Sequence, residues 1–450
     1  SRNVLCRRFV PCQNADHNFT ENIRLVKKVS AHMLKKQQEK LAVEKSLDLS
    51  IKDGVSFAAT TGFGDNYINP FAVALGASNF QIGLLSSIPQ FLPALMQLKV
   101  ADMTERLGSR KKIIVRSVFF QSLMLLPIAF IPYLPEFSQV STLIGFCTLY
   151  LLFASLAGPA WGSLMADLVT EGKRGAFFSK RSRLIGLVTL ATTFLAGYIL
   201  HLFKAHALIA FTGTFLLAMI SRYISCCFLS RMYEPPLEVK REHYFSFGAF
   251  LRRLNVGNFG KYVIFQSAFN FAVFIASPFF SVFMLRDLGF SYLTYTIVVT
   301  TVPLATILSM SYWGRYSDTF GNRRVMRICS IVISVLPALW LVSHQVYFLI
   351  GIQVLAGFFW GGFNLCSSNF IYESAIPEKR TRCISYFNTI NGLAICLGNL
   401  LGGFLATHIP PVLGYRLLTL FAISSCLRIV LSTTLLSRVK EIRKTVNASV

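Results

Sequence analysis

The feature that most constrains this chain is a series of apolar segments, each long enough to cross a bilayer as a helix. Backbone polar groups find no partners in lipid, so such segments form helices and not open strands. The sequence therefore predicts an all-α integral membrane protein. We number its twelve predicted transmembrane spans in chain order: 53–75, 80–100, 113–133, 141–165, 184–203, 207–230, 262–285, 292–313, 325–344, 346–372, 384–407 and 413–436.

Composition agrees with this class. Hydrophobic residues make up 54% of the 450 residues and charged residues 14%, whereas a soluble domain carries about 25% charged residues. The cysteines are scattered, without a CxxC pair or a metal-binding spacing, so the sequence predicts no metal and no cofactor. No signal-peptide pattern follows Ser1.

The net charge of +24 is divided unevenly between the two sides of the predicted membrane. Only Lys204, Arg286 and Arg416 fall in or beside the loops of one side, and the other side carries nearly all remaining Lys and Arg. Because basic residues are enriched in the cytoplasm, we expect both termini there, in the plasma (inner) membrane of a prokaryote. The pattern predicts a lipid bilayer and no nucleic acid as partner, with RNA binding left open for residues 1–50.

A charged, glycine-containing turn occurs twice, after span 2 and after span 8. The two copies are ADMTERLGSRKK (101–112) and GRYSDTFGNRR (314–324). Their corresponding residues are Ala101 and Gly314, Glu105 and Asp318, Gly108 and Gly321, Arg110 and Arg323, and Lys111 and Arg324. Further matches follow in the same order, among them Asp167 with Glu373, so the sequence predicts a duplicated membrane protein.

The duplication predicts the domain boundaries. Six-helix bundles are expected at residues 51–231 and 261–437, joined by a cytoplasmic linker at 232–260 and followed by a tail at 438–450. The basic segment 1–50 precedes them, and its residues 26–47 have helical spacing. We interpret this segment as a cytoplasmic helix lying on anionic headgroups; a regulatory or partner-docking role is the alternative.

The spans and the repeated turn resemble the major facilitator superfamily of secondary transporters, over about residues 51–440. The family signature after span 2 runs Gly-x-Leu-Ala-Asp-Arg-x-Gly-x-Arg-Lys. The first copy departs from it with Ala101 and Glu105, and the second copy, with Gly314 and Asp318, is closer. The resemblance implies two six-helix bundles around a central cavity and transport by alternating access.

The same resemblance assigns roles to the spans. Spans 1, 4, 7 and 10 are expected to line the cavity, spans 2, 5, 8 and 11 to form its walls and gates, and the others to be peripheral. Span 5 lacks the glycine-proline motif of proton-linked drug exporters, and span 11 has LGNLLGG (397–403) without the proline. A typical drug exporter is therefore disfavoured.

Asp65 is the expected ion-coupling residue. It lies in span 1, within GFGDNYINPF, about 18 Å from the start of the span at 1.5 Å per residue. An ionisable group at that depth is costly and is a functional candidate by default. Desolvation disfavours its charged form, so it can load and release a proton; a Na⁺ site with an Asn oxygen is the alternative.

Other residues are nominated as cavity or gate residues on this layout, with interhelical packing as the alternative for each. The predicted substrate cavity comprises Asn66, Asn69, Gln266, Asn270, Asn364, Asn369, Trp161 and Trp360. The predicted cytoplasmic gate comprises Glu105, Gly108, Arg110, Asp318, Gly321, Arg323, Asp167 and Glu373. Arg110 and Arg323 are expected to bind Asp167 and Glu373, while Glu105 and Asp318 are expected to face the starts of spans 11 and 5.

The sequence predicts the class of function and not the substrate. We expect a monomeric secondary transporter of a small solute, coupled to a proton or Na⁺ gradient; a transporter-like scaffold or sensor is the alternative. Enzyme signatures such as a P-loop, HExxH or a dinucleotide-binding glycine motif are missing from the sequence. Arg222 and Arg428 lie in the peripheral spans 6 and 12, so we expect them to support their bundles; attraction of an anionic substrate is the alternative.

Overall fold

The computed structural model of the chain describes residues 14–170, 174–236, 246–374 and 380–441. Its long elements are all helices. They are α1 (Asn14–Phe63), α2 (Ile68–Ala74), α3 (Asn79–Leu107), α4 (Arg110–Phe130), α5 (Glu136–Leu168), α6 (Arg174–Leu202), α7 (Ala207–Ser230), α8 (Phe247–Arg252), α9 (Asn258–Ala276), α10 (Phe279–Val282), α11 (Tyr292–Phe320), α12 (Asn322–Leu339), α13 (Val346–Ser374), α14 (Arg380–His408) and α15 (Arg416–Thr434).

These helices account for the predicted spans. Span 1 is the end of α1, a 3₁₀ turn at Asp65–Tyr67 and α2; span 7 is α9, α10 and a π turn at Phe283–Asp287. The other spans are α3 to α7 and α11 to α15, one helix each. Within the described residues, nine helical segments are long and apolar enough to cross a membrane. The other three predicted spans are span 1, α3 and α12, so the helices are consistent with twelve spans.

The first helix extends further than the predicted boundary at residue 50. α1 runs without a break from Asn14 to Phe63, so the helix predicted at 26–47 continues into span 1 and is not a separate element. Its later part is docked on the first half: Ser46 Oγ accepts a 2.7 Å hydrogen bond from the Tyr233 backbone N–H. Leu49 is buried in one cluster with Leu168 and Met232. Contact with the bundle therefore begins before residue 50.

The two halves repeat the same packing. In the first half, span 1 packs on spans 5 and 6, span 2 on span 4, and span 3 on spans 4 and 6. In the second half, span 7 packs on spans 11 and 12, span 8 on span 10, and span 9 on spans 10 and 12. Between halves, span 2 packs on span 11 and span 5 on span 8. The sequence repeat is thus also a repeat of the helix packing.

Both repeated turns depend on a glycine. Gly108 has φ +59° and Gly321 has φ +86°, a region that L-residues with a Cβ adopt rarely. Each glycine lets one helix end and the next begin within one or two residues. The spacing of glycine in the two sequence copies thus follows from the backbone geometry.

The halves meet at one side of the membrane. We call the side with the turns at 107–110 and 320–322 the turn side, and the side with residues 75–79 and 408–416 the far side. At the far side, Asn79 Nδ2 donates a 3.1 Å hydrogen bond to the Ala406 carbonyl, and the Arg286 guanidinium donates to Asn79 Oδ1. The contact between α3 and α14 continues down to Thr389 Oγ1, which donates to the Ala94 carbonyl at 3.2 Å.

The turn side is open by comparison. In α6 the buried residues Thr193, Ala196 and Leu200 all lie towards the far side, while residues 179–184 are mostly exposed. Asn364, on the turn-side half of α13, is exposed although it lines the central cavity. The structure is therefore a state that is closed at the far side and open at the turn side.

Candidate substrate cavity and ion-coupling site

A cavity of about 610 Å³ lies against the second half, bordered by α2, α9, α11, α12, α13, α14 and α15. Its volume is typical of small-molecule sites, which span about 300–1,000 Å³. Five amide side chains reach it: Asn69, Gln266, Asn270, Gln353 and Asn364. Aromatic side chains cover much of the remaining wall: Phe274, Phe280, Tyr295, Trp340 and Trp360. A few polar groups in an apolar wall suit a small organic ligand.

Five of the eight nominated cavity residues line this cavity, namely Asn69, Gln266, Asn270, Asn364 and Trp360. Packing fixes two of the amides. Asn270 Nδ2 donates a 2.7 Å hydrogen bond to Asn391 Oδ1 of α14. Gln266 Oε1 accepts from Ser367 Oγ at 3.2 Å.

The other three nominated residues lie elsewhere. Asn66 Nδ2 donates to Thr193 Oγ1 at 2.8 Å, which joins span 1 to span 5. Asn369 Nδ2 is 3.5 Å from Asn322 Oδ1, at the repeated turn. Trp161 packs under the guanidinium of Arg181, whose Cζ is 4.4 Å from the indole centroid. These three side chains connect helices and do not line the cavity.

Asp65 is held in the 3₁₀ turn that breaks span 1, one helical turn from Asn69 of the cavity wall. Its Oδ1 accepts a 2.7 Å hydrogen bond from the Tyr150 hydroxyl of α5, and its Oδ2 accepts a 3.1 Å bond from Thr61 Oγ1. Both partners are hydroxyls that donate. The carboxylate is therefore positioned by two spans, without a paired cation in direct contact among the described residues.

A chain of polar side chains leads from Asp65 through the first half. Gln121 lies beside the Tyr150 hydroxyl, and its Oε1 accepts from Nε and Nη2 of Arg222 at 2.9 and 2.6 Å. Arg222 Nη1 donates to Ser225 Oγ at 3.1 Å, and Ser225 Oγ donates to Asp53 Oδ1 at 2.6 Å. The half-buried carboxyl group of Asp65 and the buried one of Asp53 are thus linked through one buried arginine.

The chain ends at the turn-side end of the first half. Arg181 Nη2 lies 3.4 Å from Asp53 Oδ2, and both side chains are largely buried. Arg181 Nε also donates to the Ser50 carbonyl at 3.1 Å. Since Arg181 belongs to α6 and Asp53 to α1, this pair joins spans 5 and 1 below the cavity.

In the first half, the nominated gate residues are brought together. The Arg110 side chain is 1% exposed, and its Nη1 lies 2.5 Å from Asp167 Oδ2. It also donates to the carbonyls of Ser163 and Pro235 at 3.3 and 3.1 Å. The side chain of Glu105 lies outside the described residues.

In the second half, the acidic partner is different. Glu373 Oε2 accepts a 3.0 Å hydrogen bond from Asn322 Nδ2, and Arg323 Nη2 donates to the Ser437 carbonyl at 3.1 Å. The expected pairing of Arg323 with Glu373 is thus replaced by an amide–carboxylate pair. Asp318 lies on the exposed surface near the end of α11.

Two glutamates that the sequence analysis did not single out hold these turns. Glu234 Oε1 accepts from the backbone N–H groups of Arg110 and Lys111 at 2.6 and 3.2 Å, and its Oε2 accepts from Ser109 Oγ. Glu441 Oε2 accepts from the Arg323 backbone N–H at 2.7 Å. Each carboxylate thus caps the first turn of a helix, α4 or α12. Each lies three residues after an arginine that follows its span, Arg231 or Arg438, so an extended repeat alignment would have found them.

One further residue changes role. Arg428 of α15 lines the cavity, although span 12 was expected to be peripheral. The family layout had put span 12 outside the cavity, yet the Arg428 side chain reaches the cavity wall.

Two related six-helix halves, with a cavity of apolar walls and a few polar groups, form the fold of a membrane transporter. The Major Facilitator Superfamily model matches residues 55–274 and 262–448, so the chain belongs to this family. Membership marks a transporter and not an enzyme.

Solved structures agree in fold. A D-xylose-proton symporter superposes with a TM-score of 0.71 at 13% identity, over 90% of this chain and 99% of that one. A mutant of the nucleoside transporter NupG gives 0.68 at 14% identity, over 88% and 100%. A bacterial homologue of the iron transporter ferroportin, in an inward-facing state, gives 0.64 at 13% identity, over 88% and 99%. At these identities the likeness shows the fold alone.

One curated relative is similar over a shorter stretch. The efflux pump azaK of Aspergillus niger (strain ATCC 1015) is 29% identical over 109 residues, which cover 24% of this chain and 23% of that protein. The match thus spans less than a quarter of the relative's length.

Proposed function

We propose that the protein is a secondary active transporter that moves a small organic solute by alternating access, coupled to protonation of Asp65. The observation that carries the proposal is the cavity lined by the second half and by Asn69 of the first half, closed at the far side by the α3–α14 contact and open at the turn side. A site near the centre with one side sealed is the arrangement that alternating access requires. The cavity is complete within one chain, so a monomer suffices.

The surroundings of Asp65 favour a proton over Na⁺ as the coupling ion. A Na⁺ ion needs several oxygen atoms with free lone pairs. The Tyr150 and Thr61 hydroxyls instead donate their hydrogens to the carboxylate, and the Asn66 amide is engaged with Thr193. Hydrogen bonds of this kind hold an ionised carboxylate, and protonation of Asp65 weakens them. A change in the Asp65 proton would thus alter the contact between spans 1 and 4.

The charge distribution indicates which side of the protein faces the cytoplasm. Lys204, Arg286 and Arg416 mark the far side, and most other basic residues mark the turn side. Under the positive-inside rule, the turn side and both termini face the cytoplasm, and the structure is an inward-open state. The repeated turns then form the cytoplasmic gate. Glu105 and Asp318 would approach the starts of α14 and α6 when that gate closes, where the helix dipoles favour negative charge.

The experiment measures two distances by pulsed electron–electron spin resonance in lipid nanodiscs. Accessible native cysteines are first replaced by serine. Spin labels at Tyr133 and Val342 report the far side, since both residues are exposed there. Labels at Lys112 and Thr319 report the turn side. Because each pair spans the two halves, no substrate needs to be known.

The proposal expects two populations whose far-side and turn-side distances change in opposite directions. Acidic buffer should shift their ratio relative to alkaline buffer, and Asp65→Asn should remove that shift. A response to NaCl, but not to KCl or pH, would assign Na⁺ as the coupling ion. One fixed distance at each side under all conditions would refute alternating access and favour a scaffold.

A further inference from the structure

Arg428 is a buried cation in the wall of the cavity. It lies in the middle of α15 and is 4% exposed. Nη2 donates to the Val273 carbonyl at 3.1 Å, and Nη1 is 3.5 Å from the Ile333 carbonyl. Nε is buried and has no hydrogen-bond partner. The guanidinium therefore has unused donor capacity beside an open volume.

Among the described residues of the second half, no acidic side chain contacts Arg428. Between residues 261 and 437 the acidic residues are Asp287, Asp318, Glu373 and Glu378. Asp287, Asp318 and Glu373 lie at or near helix ends, and Glu378 lies outside the described residues. A cation buried without a counter-charge is strongly disfavoured in a membrane protein. Support of the bundle alone does not explain why a buried cation with this energetic cost is present.

The first half shows what a satisfied arginine looks like at the matching position. Arg222 of α7 is also buried, and Gln121 and Ser225 accept from all three of its donor nitrogens. Ser225 in turn bonds the buried carboxylate of Asp53. The first half thus supplies an internal acid for its arginine, and the second half supplies a cavity instead.

We propose that Arg428 binds the anionic group of the substrate, and that the substrate class is aromatic organic anions such as aryl carboxylates. This inference rests on the proposed function, since it takes the cavity as the transport site. A guanidinium binds carboxylate oxygens through parallel N–H donors, and this geometry is directional. The ligand's charge supplies the counter-ion that the described residues do not provide.

The remaining wall accounts for the rest of the ligand. Trp340, Trp360 and Phe280 offer aromatic surfaces for a ring, and aromatic pairs gain from offset or edge-to-face packing. The amides of Gln266, Asn270 and Gln353 can hydrogen-bond ring substituents. An acid is then preferred over its neutral amide because only the acid neutralises Arg428.

The test is a thermal-shift titration of the purified full-length chain with matched acid and amide probes. The pairs are benzoate with benzamide, cinnamate with cinnamamide, and naphthoate with naphthamide. A ligand that binds the folded state raises the melting temperature in proportion to its affinity. In the wild type, at least one acid should bind about tenfold or more tightly than its amide, a difference set by one charged contact.

Three variants assign the preference to Arg428. Arg428→Gln should abolish the difference between acid and amide, and Arg428→Lys, which keeps a cation but loses the planar fork, should retain part of it. Arg327→Gln removes an equal charge from an exposed position of α12 and should leave the difference unchanged. If Arg428→Gln does not purify as a folded monomer, the graded loss in Arg428→Lys carries the test.

Two results would overturn the inference: equal binding of every acid and its amide in the wild type, or a preference for acids that persists in Arg428→Gln. Neither result bears on the distance measurements. Reciprocal movement without acid preference leaves the transport proposal intact and removes only the substrate class. A preference for acids in a protein with one fixed distance at each side would support the substrate class and refute alternating access.

Discussion

The Tyr150 hydroxyl donates a 2.7 Å hydrogen bond to Oδ1 of Asp65, and so ties span 4 to the carboxylate in the break of span 1. A hydrogen bond to a charged group contributes about 1.5–3 kcal/mol. Tyr150→Phe removes this donor and leaves Thr61 as the remaining partner. Protonation of Asp65 then becomes easier, so the pH midpoint of the far-side distance change should move to higher pH by about 1–2 units.

Tyr262→Phe is the matched control for this prediction. Its hydroxyl contacts Ser367 and Gln266 in the second half, and no charged side chain among the described residues contacts it. The variant should leave the pH midpoint in place. An unchanged midpoint in Tyr150→Phe would mean that Asp65 does not control the equilibrium.

Much of the fold follows from the sequence, because span length and the repeated turns are one-dimensional signals. Gly108 and Gly321 were identified by their spacing, and the structure gives both a positive φ. Depth along the membrane is also readable: Asp65 and Arg428 were placed within their spans. These properties depend on position along the chain and not on the neighbours of a helix.

The sequence does not show in the same way which face of each helix points towards the cavity. The spans are apolar on all faces, since one face meets lipid and another meets protein, so no stripe marks the inner side. The nominated cavity residues therefore included Asn69 and Trp360, which line the cavity, together with Trp161 and Asn369, which contact other helices. Arg428 was assigned to the periphery because the sequence around it has no pattern that marks the inner face, and the family layout was used instead. Pairings such as Asn322 with Glu373 depend on tertiary geometry that no spacing encodes.

The close contact of Gly83 and Gly403 should control closure of the far side. A Cβ on Gly83 would lie 2.7 Å from the Gly403 Cα, which is shorter than real contacts. Gly83→Val should therefore separate α3 from α14 at a cost of about 1–3 kcal/mol. That cost corresponds to an increase of about 5- to 150-fold in the far-side-open population, measured as a longer distance between labels at Tyr133 and Val342.

Gly213→Val provides the control, because nothing lies within 4 Å of a Cβ built there. It places the same side chain in α7 without a steric conflict. Lengthening in both variants, or in neither, would contradict a specific role for the α3–α14 contact.

Glu234 should stabilise the start of α4. Helix starts have N–H groups without internal partners, and Glu234 accepts from two of them as well as from Ser109. Glu234→Ala should lower the free energy of unfolding by about 0.5–2 kcal/mol, the usual cost of a lost cap. Glu234→Gln keeps one acceptor oxygen and should cost less.

Hydrogen exchange locates the effect of the Glu234 substitutions. The amides of residues 110 and 111 should exchange faster in Glu234→Ala, while those at the start of α12 should keep their wild-type rates. Equal exchange rates at the start of α4 in the wild type and in Glu234→Ala would show that Glu234 does not cap this helix in the membrane-embedded protein.

Asp318 is expected to act when the turn side closes. By the family resemblance it then faces the start of α6, where a negative charge gains about 0.3–1 kcal/mol. Asp318→Asn should raise the turn-side-open population by about two- to fivefold, measured with labels at Lys112 and Thr319, and Glu105→Gln should act in the same direction. Glu136→Gln, at the far side, is the control; a shift of equal size there would indicate a general charge effect.

The two buried arginines should respond to neutralisation in opposite ways. Arg222→Gln leaves Asp53 buried with one fewer cation nearby, and breaking a buried charge network costs about 3–5 kcal/mol. Arg428→Gln removes a charge that has no acidic partner among the described residues, so the ligand-free protein should keep or increase its stability. Thermal unfolding in detergent measures both variants against the wild type. A large loss of stability in Arg428→Gln would instead assign that residue to support of the bundle, because only a structural role needs the cation when the cavity is empty.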